Sequence, residues 1–370
     1  MNKLGRTIKY IFNAGKTLLG KILGGLVQPQ IEYLFWEVTD LCNSRCIQCN
    51  IWQNKPSGDI LTLAEVENIF SSGFFRHVKE VIISGGEPIL LPDLEAKLLV
   101  MQKYIRPNAL VSFSTNGLLP DKVLKVVEAC LRNKMNLAVG VSLDGIGEHH
   151  DRIRGVKGNF EKVEYLLGKL FELRRAYKGL KVLVGYTLSS NTVDYMPEVK
   201  KYVEGLGMDF APQMYEEFTF YKLTDKVKNS YDEFSIDMVK KRDKMRQQVE
   251  TLGPCFQKEI LLRFLQDKPL RYNCASMRKF FVLRANGDVS PCLRFAHIRL
   301  GNIRSGNLKE WWRSQEVRKG RAIVDKCPGC SNTWGTLWSM EHWFPPFINV
   351  AATVMLTKAA AGAKALFRRT

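Results

Sequence analysis

Between residues 31 and 191 the sequence alternates short apolar segments with longer amphipathic ones, and this alternation restricts the fold more than any other feature. The short segments are rich in β-branched and aromatic residues and stop at turn residues, as β-strands do. The longer segments carry apolar residues at helical spacing. Repeated strand and helix units of this length predict a parallel sheet, in either an α/β barrel or an open arrangement. The strand segments are IEYLFWEVT, VKEVIISGG, NALVSFSTNG, MNLAVGVSLDG and KVLVGYTLSSN, and the helical segments are LTLAEVENIFSSG, LPDLEAKLLVMQKYI, LPDKVLKVVEACLRN and FEKVEYLLGKLFELRRAY.

The sequence changes character after residue 220. Residues 221–270 are heavily charged and have helical character, and Asn286-Gly287 between two apolar runs predicts a β-hairpin. The stretch NLKEWWRSQEVRKGRAI, residues 307–323, predicts one helix. A chain of 370 residues with 45% hydrophobic content can bury a full core. It exceeds a typical domain of about 100 to 200 residues, so two domains are expected.

Three cysteines, Cys42, Cys46 and Cys49, follow the first predicted strand within eight positions. In barrel enzymes the loops after the carboxyl ends of the strands hold the chemistry. A structural zinc site uses four ligands, and no histidine lies near this group. Three thiolates suit an iron-sulfur cube better, because its fourth iron then stays open for a ligand that is not protein. The nine cysteines, an odd number in clustered spacings, argue against a disulfide scaffold and favour a reducing compartment.

The spacing CxxxCxxC resembles that of the radical S-adenosylmethionine (radical SAM) superfamily. The resemblance implies a 4Fe-4S cluster whose open iron binds the amino and carboxylate groups of S-adenosylmethionine. It also implies that one electron from the cluster breaks the sulfonium bond and releases a 5'-deoxyadenosyl radical, which takes a hydrogen atom from a substrate. The protein's part is then to orient the reactants and exclude water. A reductant such as ferredoxin or flavodoxin is an expected partner.

Further motifs similar to those of this superfamily end the second, third and fourth predicted strands. GGEP resembles the loop whose backbone approaches the methionine amino group, while Ser142 of VSLDG and Arg154 of HDRIRG match residues that hold the methionine carboxylate. A guanidinium fork is a natural partner for a carboxylate. Gln48 departs from the pattern, because the family usually has an aromatic residue before the third cysteine. The cofactor-binding residues that the resemblance implies are Gly85, Gly86, Glu87, Asn116, Ser142, Asp144 and Arg154.

Four cysteines form a second group nearer the C-terminus: Cys274, Cys292, Cys327 and Cys330. Their pattern, with Gly287 ahead of Cys292 and a final CPGC, resembles the auxiliary-cluster domain called SPASM, or its shortened form called twitch. The resemblance implies an auxiliary 4Fe-4S cluster held by all four thiolates, which leaves no open iron and suits electron transfer. A structural zinc ion with the same four ligands is the alternative.

Two cysteines belong to neither group. Cys130 lies on the apolar stripe of a predicted helix and is expected in the core. Cys255 follows Gly253-Pro254 and either substitutes in the second group or has no special role. The pattern identifies no catalytic acid or base.

The motifs and the strand pattern together predict an α/β fold, a partial (β/α)6 TIM-type radical SAM barrel with a small C-terminal SPASM/twitch iron-sulfur domain. The barrel is expected at residues 31–220 and the auxiliary domain at residues 271–341. A helical linker at residues 221–270 joins them, and basic amphipathic segments occupy residues 1–30 and 342–370.

The two ends carry nine of the eighteen net positive charges of the chain and no acidic residue. At helical spacing the basic residues of each end fall opposite apolar ones, which is typical of helices that lie in an anionic membrane surface. Neither end has the roughly 18 uninterrupted apolar residues of a membrane span. Packing on the core or on a second subunit is the alternative. Nucleic acid is an unlikely partner, because no aromatic residues are interleaved with the basic ones.

These observations predict a cytoplasmic radical SAM enzyme, peripheral on the inner face of the membrane, that acts on a lipid, a lipid-linked sugar or another amphiphile. The first alternative is a peptide-modifying or small-metabolite dehydrogenase. Against it, Leu293 and Arg294 follow Cys292, where dehydrogenating relatives carry an acidic residue. The second alternative is a non-catalytic metal-binding module associated with the membrane.

Overall fold

The structure, a computed structural model, describes most of the chain. Both basic terminal segments lie outside the described residues, apart from residue 30, and so does Cys330. Within the described part, no helix combines the length and the apolar character needed to cross a lipid bilayer. The described residues are 30–53, 58–215, 238–267, 273–304, 306–327 and 333–340.

The centre of the described chain is a single β-sheet. Its strands are β1 (Tyr33–Thr39), β2 (Glu80–Gly85), β3 (Leu110–Thr115), β4 (Asn136–Ser142), β5 (Leu180–Leu188), β6 (Asp209–Met214), β7 (Val282–Leu283) and β8 (Val289–Ser290). They lie in the order β6, β5, β4, β3, β2, β1, β7, β8. Strands β1 to β6 are parallel to their neighbours, which confirms the predicted α/β class.

Strand β6 was not among the segments predicted from the sequence. Its residues, DFAPQM, include an aspartate and a proline and no β-branched residue. The strand lies at the edge of the sheet, where a proline is tolerated because one side of the backbone has no neighbouring strand. Its place therefore depends on pairing with β5 rather than on its own sequence.

Helices follow the strands, as the predicted alternation requires. They are α1 (Leu63–Ser71), α2 (Leu94–Tyr104), α3 (Pro120–Arg132), α4 (Glu148–Arg154), α5 (Asn159–Ala176), α6 (Met196–Gly205), α7 (Arg242–Glu250), α8 (Phe256–Leu265), α9 (Leu308–Trp311), α10 (Gln315–Asp325) and α11 (Thr333–Met340). The helical character predicted for residues 221–270 is confirmed by α7 and α8 in the part that the structure describes. The domain boundaries remain predictions.

The two faces of β1 have different surroundings, because successive side chains of a strand point to opposite sides. Leu34 and Trp36 join the main hydrophobic core with the helices. Tyr33 and Phe35 contact a separate small cluster that includes Trp338 of α11. Glu37 is the next residue on the face of Tyr33 and Phe35. We call this face the inner face of β1.

The predicted hairpin is confirmed. Strands β7 and β8 are antiparallel, and Gly287 in the turn between them has a φ of +83°, a left-handed conformation that glycine adopts without strain. Strand β7 also pairs in parallel with β1, with Phe35 opposite Val282. The C-terminal segment is thus hydrogen-bonded to the first strand of the sheet.

The single helix predicted over residues 307–323 is wrong, because the structure divides it into α9 and α10. Ser314 lies between them in an extended conformation, and its side chain accepts a hydrogen bond from the Val317 N–H group. A serine in this position begins a new helix by satisfying one of its unpaired N–H groups.

Candidate active site

The first cysteine group lies on the loop that follows β1. Cys46 is buried, while Cys42 and Cys49 are half-buried. The Cys49 N–H group donates to the Cys46 carbonyl over 3.2 Å, and the Ser44 hydroxyl lies 3.1 Å from the Cys46 sulfur. The loop therefore holds its three thiols in a compact turn, as the sequence spacing predicted.

The end of α4 fixes this cysteine loop from the other side. The Arg45 N–H group donates to the Arg154 carbonyl, and the Ile47 N–H group donates to the Ile153 carbonyl, both over 3.0 Å. Gly155 ends the helix with a φ of +67°, and a Cβ there would lie 2.3 Å from the Arg45 carbonyl oxygen. Only glycine permits this approach, so the cysteine loop and α4 form one tightly packed unit.

The GGEP loop packs against the chain that leads into the cysteine loop. The N–H groups of Gly86 and Glu87 donate to the carbonyls of Thr39 and Leu41, each over 2.7 Å. A Cβ at Gly85 would lie 2.0 Å from the Thr39 oxygen, and one at Gly86 would lie 1.9 Å from the Leu41 oxygen. The sequence suggested that these glycines allow a close approach to the cofactor. In the structure the space that they leave is taken by the protein's own backbone.

Glu87 and Asn116 connect the GGEP loop to the end of β3. The buried Glu87 carboxylate accepts hydrogen bonds from the Asn116 N–H group over 2.6 Å and from the Ile89 N–H group over 3.4 Å. Burial raises the pKa of Glu87 to about 7 in spite of these donors. The Asn116 side-chain amide donates to Asn43 over 2.8 Å and lies 3.9 Å from the Cys42 sulfur. Both predicted residues thus lie beside the cysteine loop.

Arg154 and Asp144 form a buried ion pair, with 2.7 Å between a terminal guanidinium nitrogen and Oδ2. The other terminal nitrogen of Arg154 lies 3.8 Å from the Cys46 sulfur. Asp144 also accepts hydrogen bonds from the Gln48 side chain over 2.8 Å and from the Thr187 N–H group over 2.7 Å. Asp144 therefore orients Arg154, and this contact suggests a positioning role for a residue that the motif alone implied to bind the cofactor.

Gln48, the departure from the family pattern, has a defined place in this network. Its amide nitrogen donates to Asp144, and its amide oxygen accepts from the Ser189 hydroxyl over 3.1 Å. A phenylalanine could make neither bond. The predicted Ser142 ends β4 two residues ahead of Asp144 and is half-buried.

Two buried residues that the sequence did not identify complete the network behind Asp144. The Asp144 N–H group donates to Nδ1 of His150 over 3.2 Å, and Nε2 of His150 lies 3.2 Å from the Asn159 side-chain oxygen. The Asn159 amide donates to the Asn116 carbonyl over 3.0 Å. Burial lowers the pKa of His150 to about 3, so the ring is neutral at physiological pH. His150 serves as a fixed link between the ends of β3 and β4.

The first cysteine group and its neighbours fit an iron-sulfur cluster with S-adenosylmethionine. Burial raises the pKa of Cys42 to about 11 and that of Cys49 to about 12, so bound iron must supply the positive charge that keeps them as thiolates. The Nε atom of Arg154 is buried and has no hydrogen-bond partner among the described residues. A buried guanidinium N–H group without a partner, close to a thiol, suits the carboxylate of a bound cofactor.

The described residues include no three histidine, cysteine or acidic side chains that converge closely enough to share one metal ion. A 4Fe-4S cluster does not need such convergence, because each thiolate binds a different iron atom.

The second cysteine group lies next to the inner face of β1, the face that carries Tyr33 and Phe35. Cys274 and Cys292 pack against the small cluster of Tyr33, Phe280 and Trp338. Burial raises the pKa of both thiols, and the nearby sulfur of Cys327 adds to the rise. The structure thus brings three of the four predicted ligands together, while Cys330 lies outside the described residues.

The other cysteines agree with the sequence analysis where the structure describes them. Cys130 is fully buried on α3, which confirms its place in the core. Cys255 is exposed at the start of α8, where its sulfur accepts from the Lys258 N–H group over 3.4 Å.

Comparison with known proteins identifies two families. Residues 36–200 match the radical SAM superfamily, and residues 274–332 match the SPASM iron-sulfur cluster-binding domain. The chain is 31% identical to pre-heme d1 synthase of Dinoroseobacter shibae over 51% of its own length and 44% of that protein. It is 25% identical to AdoMet-dependent heme synthase of Methanosarcina barkeri over 80% of its length and 87% of that protein.

Among solved structures, the chain is similar to anSMEcpe with bound AdoMet, with a TM-score of 0.57 and 22% identity. The match covers 88% of this chain and all of that one. The chain spans only about half the length of several of the curated relatives that it matches, including 44% of pre-heme d1 synthase. The matched segments contain the two cysteine groups, so the chain belongs to the radical SAM superfamily and carries a C-terminal SPASM domain, and these two domains imply 4Fe-4S clusters and S-adenosylmethionine as cofactors.

Proposed function

We propose that Cys42, Cys46 and Cys49 hold the cluster that binds S-adenosylmethionine, and that the protein uses the bound cofactor to abstract hydrogen from a substrate. The observation that carries this proposal is the attachment of the cysteine loop to both the GGEP loop and the end of α4. When bound, the cluster and S-adenosylmethionine supply a 5'-deoxyadenosyl radical. The surrounding protein groups bind, orient and shield the reactants.

In this proposal Arg154 holds the methionine carboxylate through its Nε–H group, which has no partner among the described residues. Asp144 and Gln48 keep that guanidinium in place, because both are buried and hydrogen-bonded to each other. Ser142 lies at the end of β4, and in this proposal its hydroxyl also donates to the methionine carboxylate. Gly85, Gly86 and the side chains of Glu87 and Asn116 fix the loop over the cysteines. A buried arrangement of this kind limits the access of water to the reacting groups.

The test is 5'-deoxyadenosine formation by protein that is reconstituted anaerobically with iron and sulfide, reduced with dithionite and mixed with S-adenosylmethionine. We expect the product from the natural chain and from the Cys255→Ser variant, which changes an exposed thiol. We expect none from the Cys46→Ala variant. If the reduced natural chain, with its iron content verified, leaves S-adenosylmethionine intact, the proposal is wrong.

We further propose that Cys274, Cys292, Cys327 and Cys330 hold an auxiliary cluster that passes electrons, with ferredoxin or flavodoxin as the external reductant. Support comes from the apolar contacts of Cys274 and Cys292, which leave little room for exchangeable ligands.

For the substrate we propose an amphiphile at the inner face of an anionic membrane. The support is in the sequence, where the two basic ends carry their charge opposite apolar residues. Flotation with vesicles of phosphatidylglycerol tests this proposal, with phosphatidylcholine vesicles as the uncharged comparison. We expect the protein to float only with the anionic vesicles. A variant with Lys3, Lys9, Lys16 and Lys21 changed to Gln should remain at the bottom of the gradient, and flotation unaffected by these changes would overturn the membrane proposal.

A second candidate substrate is a small metabolite of the tetrapyrrole type, with no membrane role for the chain ends. The match to AdoMet-dependent heme synthase favours it, because that match covers 80% of this chain. Turnover of a porphyrin by protein that does not float with either kind of vesicle would support this candidate over the amphiphile.

A further inference from the structure

Strand pairing places a buried ion pair on the inner face of β1. The register that sets Trp36 opposite Leu283 brings Glu37 beside Arg284, the next residue of each strand. A guanidinium nitrogen of Arg284 lies 2.8 Å from Oε2 of Glu37. The Glu37 side chain is only 4% exposed. The pair is thus a product of the contact between the first strand and the C-terminal hairpin.

A polar cavity of about 260 Å³ opens beside this ion pair. It lies between the end of β1, the hairpin turn and the segment at residues 296–299. Its walls offer carboxylate, guanidinium, amide and hydroxyl groups. The residues that line it include Glu37, Arg284, Asp288, Ser290, Ala296 and Arg299.

The cavity lies between the two cysteine groups. Along the inner face of β1, Phe35 touches the cluster that contains Cys274 and Cys292, and Glu37 comes next. Thr39 also lines the cavity and precedes Cys42 by three positions. The distance along the strand from Phe35 to Thr39 is about 13 Å at a rise of about 3.3 Å per residue. A molecule in this cavity would lie along the strand that connects the surroundings of the two cysteine groups.

Two ion pairs occupy four of the charged groups around the cavity. Glu37 pairs with Arg284, and Asp288 pairs with Arg299 over 2.7 Å. Asp288 also accepts from the side chains of Asn286 over 3.0 Å and Asn302 over 2.8 Å. An ionic ligand that displaced Glu37 or Arg284 would leave a largely buried charge without its partner, which is strongly unfavourable. A hydroxyl group both donates and accepts, so it can bind to paired charges without separating them.

We propose that this cavity binds an uncharged polyhydroxylated group of the substrate, either a sugar or a glycerol headgroup. Hydroxyls of the ligand donate to Glu37, Asp288 and Ser290, whose own proton goes to the Ala296 carbonyl over 3.3 Å, and accept from Arg284. A volume of 260 Å³ admits one group of the size of a sugar ring, and the rest of a larger substrate extends through the open side, where Arg299 is 64% exposed. The inference rests on the proposed function and specifies the substrate class for the same site.

Isothermal titration calorimetry on the anaerobically reconstituted full chain tests this proposal. The probes are glucose and glycerol, with acetate and methylammonium as ionic comparisons. We expect saturable binding of at least one neutral probe, with a Kd on the order of millimolar, and weaker binding of both ions. Preference for glucose would indicate a sugar, and preference for glycerol would indicate a lipid headgroup.

Three variants of the cavity and one control complete the experiment. Glu37→Gln and Arg284→Met should each weaken binding of the neutral probe by about tenfold or more, because each removes a charged hydrogen-bond partner. Ala296→Leu fills the cavity without changing either ion pair and should abolish binding. Glu32→Gln is the matched control, because Glu32 pairs with Lys79 and Lys279 outside the cavity, and should bind as the natural chain does.

Tighter binding of acetate or methylammonium would overturn the proposal, and so would glucose and glycerol binding that survives Ala296→Leu. Absence of any neutral binding up to roughly 100 mM would also overturn it, because that limit lies far above the expected Kd. Circular dichroism verifies that each variant is folded. Neither 5'-deoxyadenosine formation nor flotation requires this cavity, so those two tests report on the proposed function independently.

Discussion

The first cysteine group lies on the loop that follows β1 and the second packs against the cluster that includes Tyr33 at the start of β1, and their surroundings differ in polarity. The first group is bordered by the guanidinium of Arg154 and the amide of Asn116. The second is bordered by the rings of Phe280 and Trp338, and the neutral Ser339 hydroxyl lies 3.9 Å from the Cys274 sulfur as a side-chain donor. Polar donors can receive a charged ligand that comes and goes, whereas an apolar wall favours a cluster that only exchanges electrons. In the roles that we propose for the two groups, burial is common to both, and the difference comes from the nature of the neighbouring side chains.

The largest expected effect is a difference in 5'-deoxyadenosine formation between variants that lack cysteines of the first group and variants that lack cysteines of the second group. We expect the Cys42, Cys46, Cys49 to Ala triple variant to lose all 5'-deoxyadenosine formation and the Cys274, Cys292 double variant to retain it. Iron analysis should show about eight iron atoms per natural chain and about four in each variant, since each cube holds four.

Cys255→Ser is the control for this pair of variants and should keep the full iron content. If the Cys274, Cys292 variant also loses all cofactor cleavage while keeping about four iron atoms, the division of roles between the groups is wrong.

A second comparison concerns Arg154, a charged neighbour of the first cysteine group, and Trp338, an aromatic neighbour of the second. Arg154→Met leaves Asp144 buried without its partner, so the free energy of unfolding should fall by about 3 to 5 kcal/mol. Trp338→Ala should cost a similar amount, about 3 to 5 kcal/mol, because it leaves a cavity where the indole stacked on Tyr33.

Binding of S-adenosylmethionine separates these two variants despite their similar stability. We expect Arg154→Met to weaken it strongly and Trp338→Ala to leave it close to normal. Equilibrium urea unfolding and cofactor titration on the same preparations check both expectations. Equal losses of cofactor binding would show that the two surroundings are not functionally distinct.

A smaller effect is expected from the glycine that lets the GGEP loop approach the first cysteine group. Gly86→Ala places a methyl group against the Leu41 carbonyl and should lower the free energy of unfolding by about 1 to 3 kcal/mol. Gly168 lies on α5 with nothing within 4 Å of its added Cβ. Gly168→Ala should therefore raise stability by about 1 kcal/mol, in line with the helix propensities of the two residues. Thermal unfolding of both variants gives the comparison, and a stable Gly86→Ala protein would contradict the packing described here.

The smallest effect concerns pH. Burial raises the pKa of Glu37 from 4.5 to about 7, although Arg284 lowers it in part. Between these values the folded chain holds a proton at Glu37 that the unfolded chain has lost, so the stability contributed by this group falls as pH rises through that window. Glu37→Gln removes the contribution. Urea unfolding at pH 5 and pH 8 should show a smaller drop in stability for Glu37→Gln than for the natural chain and for Glu32→Gln, and an equal drop would contradict the assignment.

The sequence predicted the elements of the fold whose signal is local. Five of the six parallel strands are rich in β-branched or aromatic residues. The cysteine, GGEP and VSLDG motifs each lie at or after the end of one of these strands. β6 has no β-branched residue and depends on its neighbour. The break between α9 and α10 depends on the side chain of Ser314, which accepts a hydrogen bond from the Val317 N–H group. The helical spacing of apolar residues continues through Ser314, so the spacing alone predicts one helix.

The rest of the candidate site depends on pairings over long distances in the chain. The sequence showed Gln48 only as a departure from the family pattern. Its hydrogen bonds could not be predicted, because its partners Asp144 and Ser189 lie 96 and 141 positions away. Glu37 had no sequence signal at all, since a single glutamate in a strand is compatible with solvent exposure. Its burial follows from the pairing of β1 with β7, which no local pattern reveals.

That same pairing has a consequence for synthesis of the protein. Phe35 and its partner Val282 are 247 positions apart, so one edge of β1 stays without its neighbour while the intervening chain is made. At about 5 to 20 residues per second this interval lasts roughly 12 to 50 seconds. An apolar strand with an uncovered edge is a template for association with other chains. The nascent protein is therefore expected to need chaperone protection until the hairpin emerges from the ribosome, and chains that stop before residue 282 are expected to aggregate.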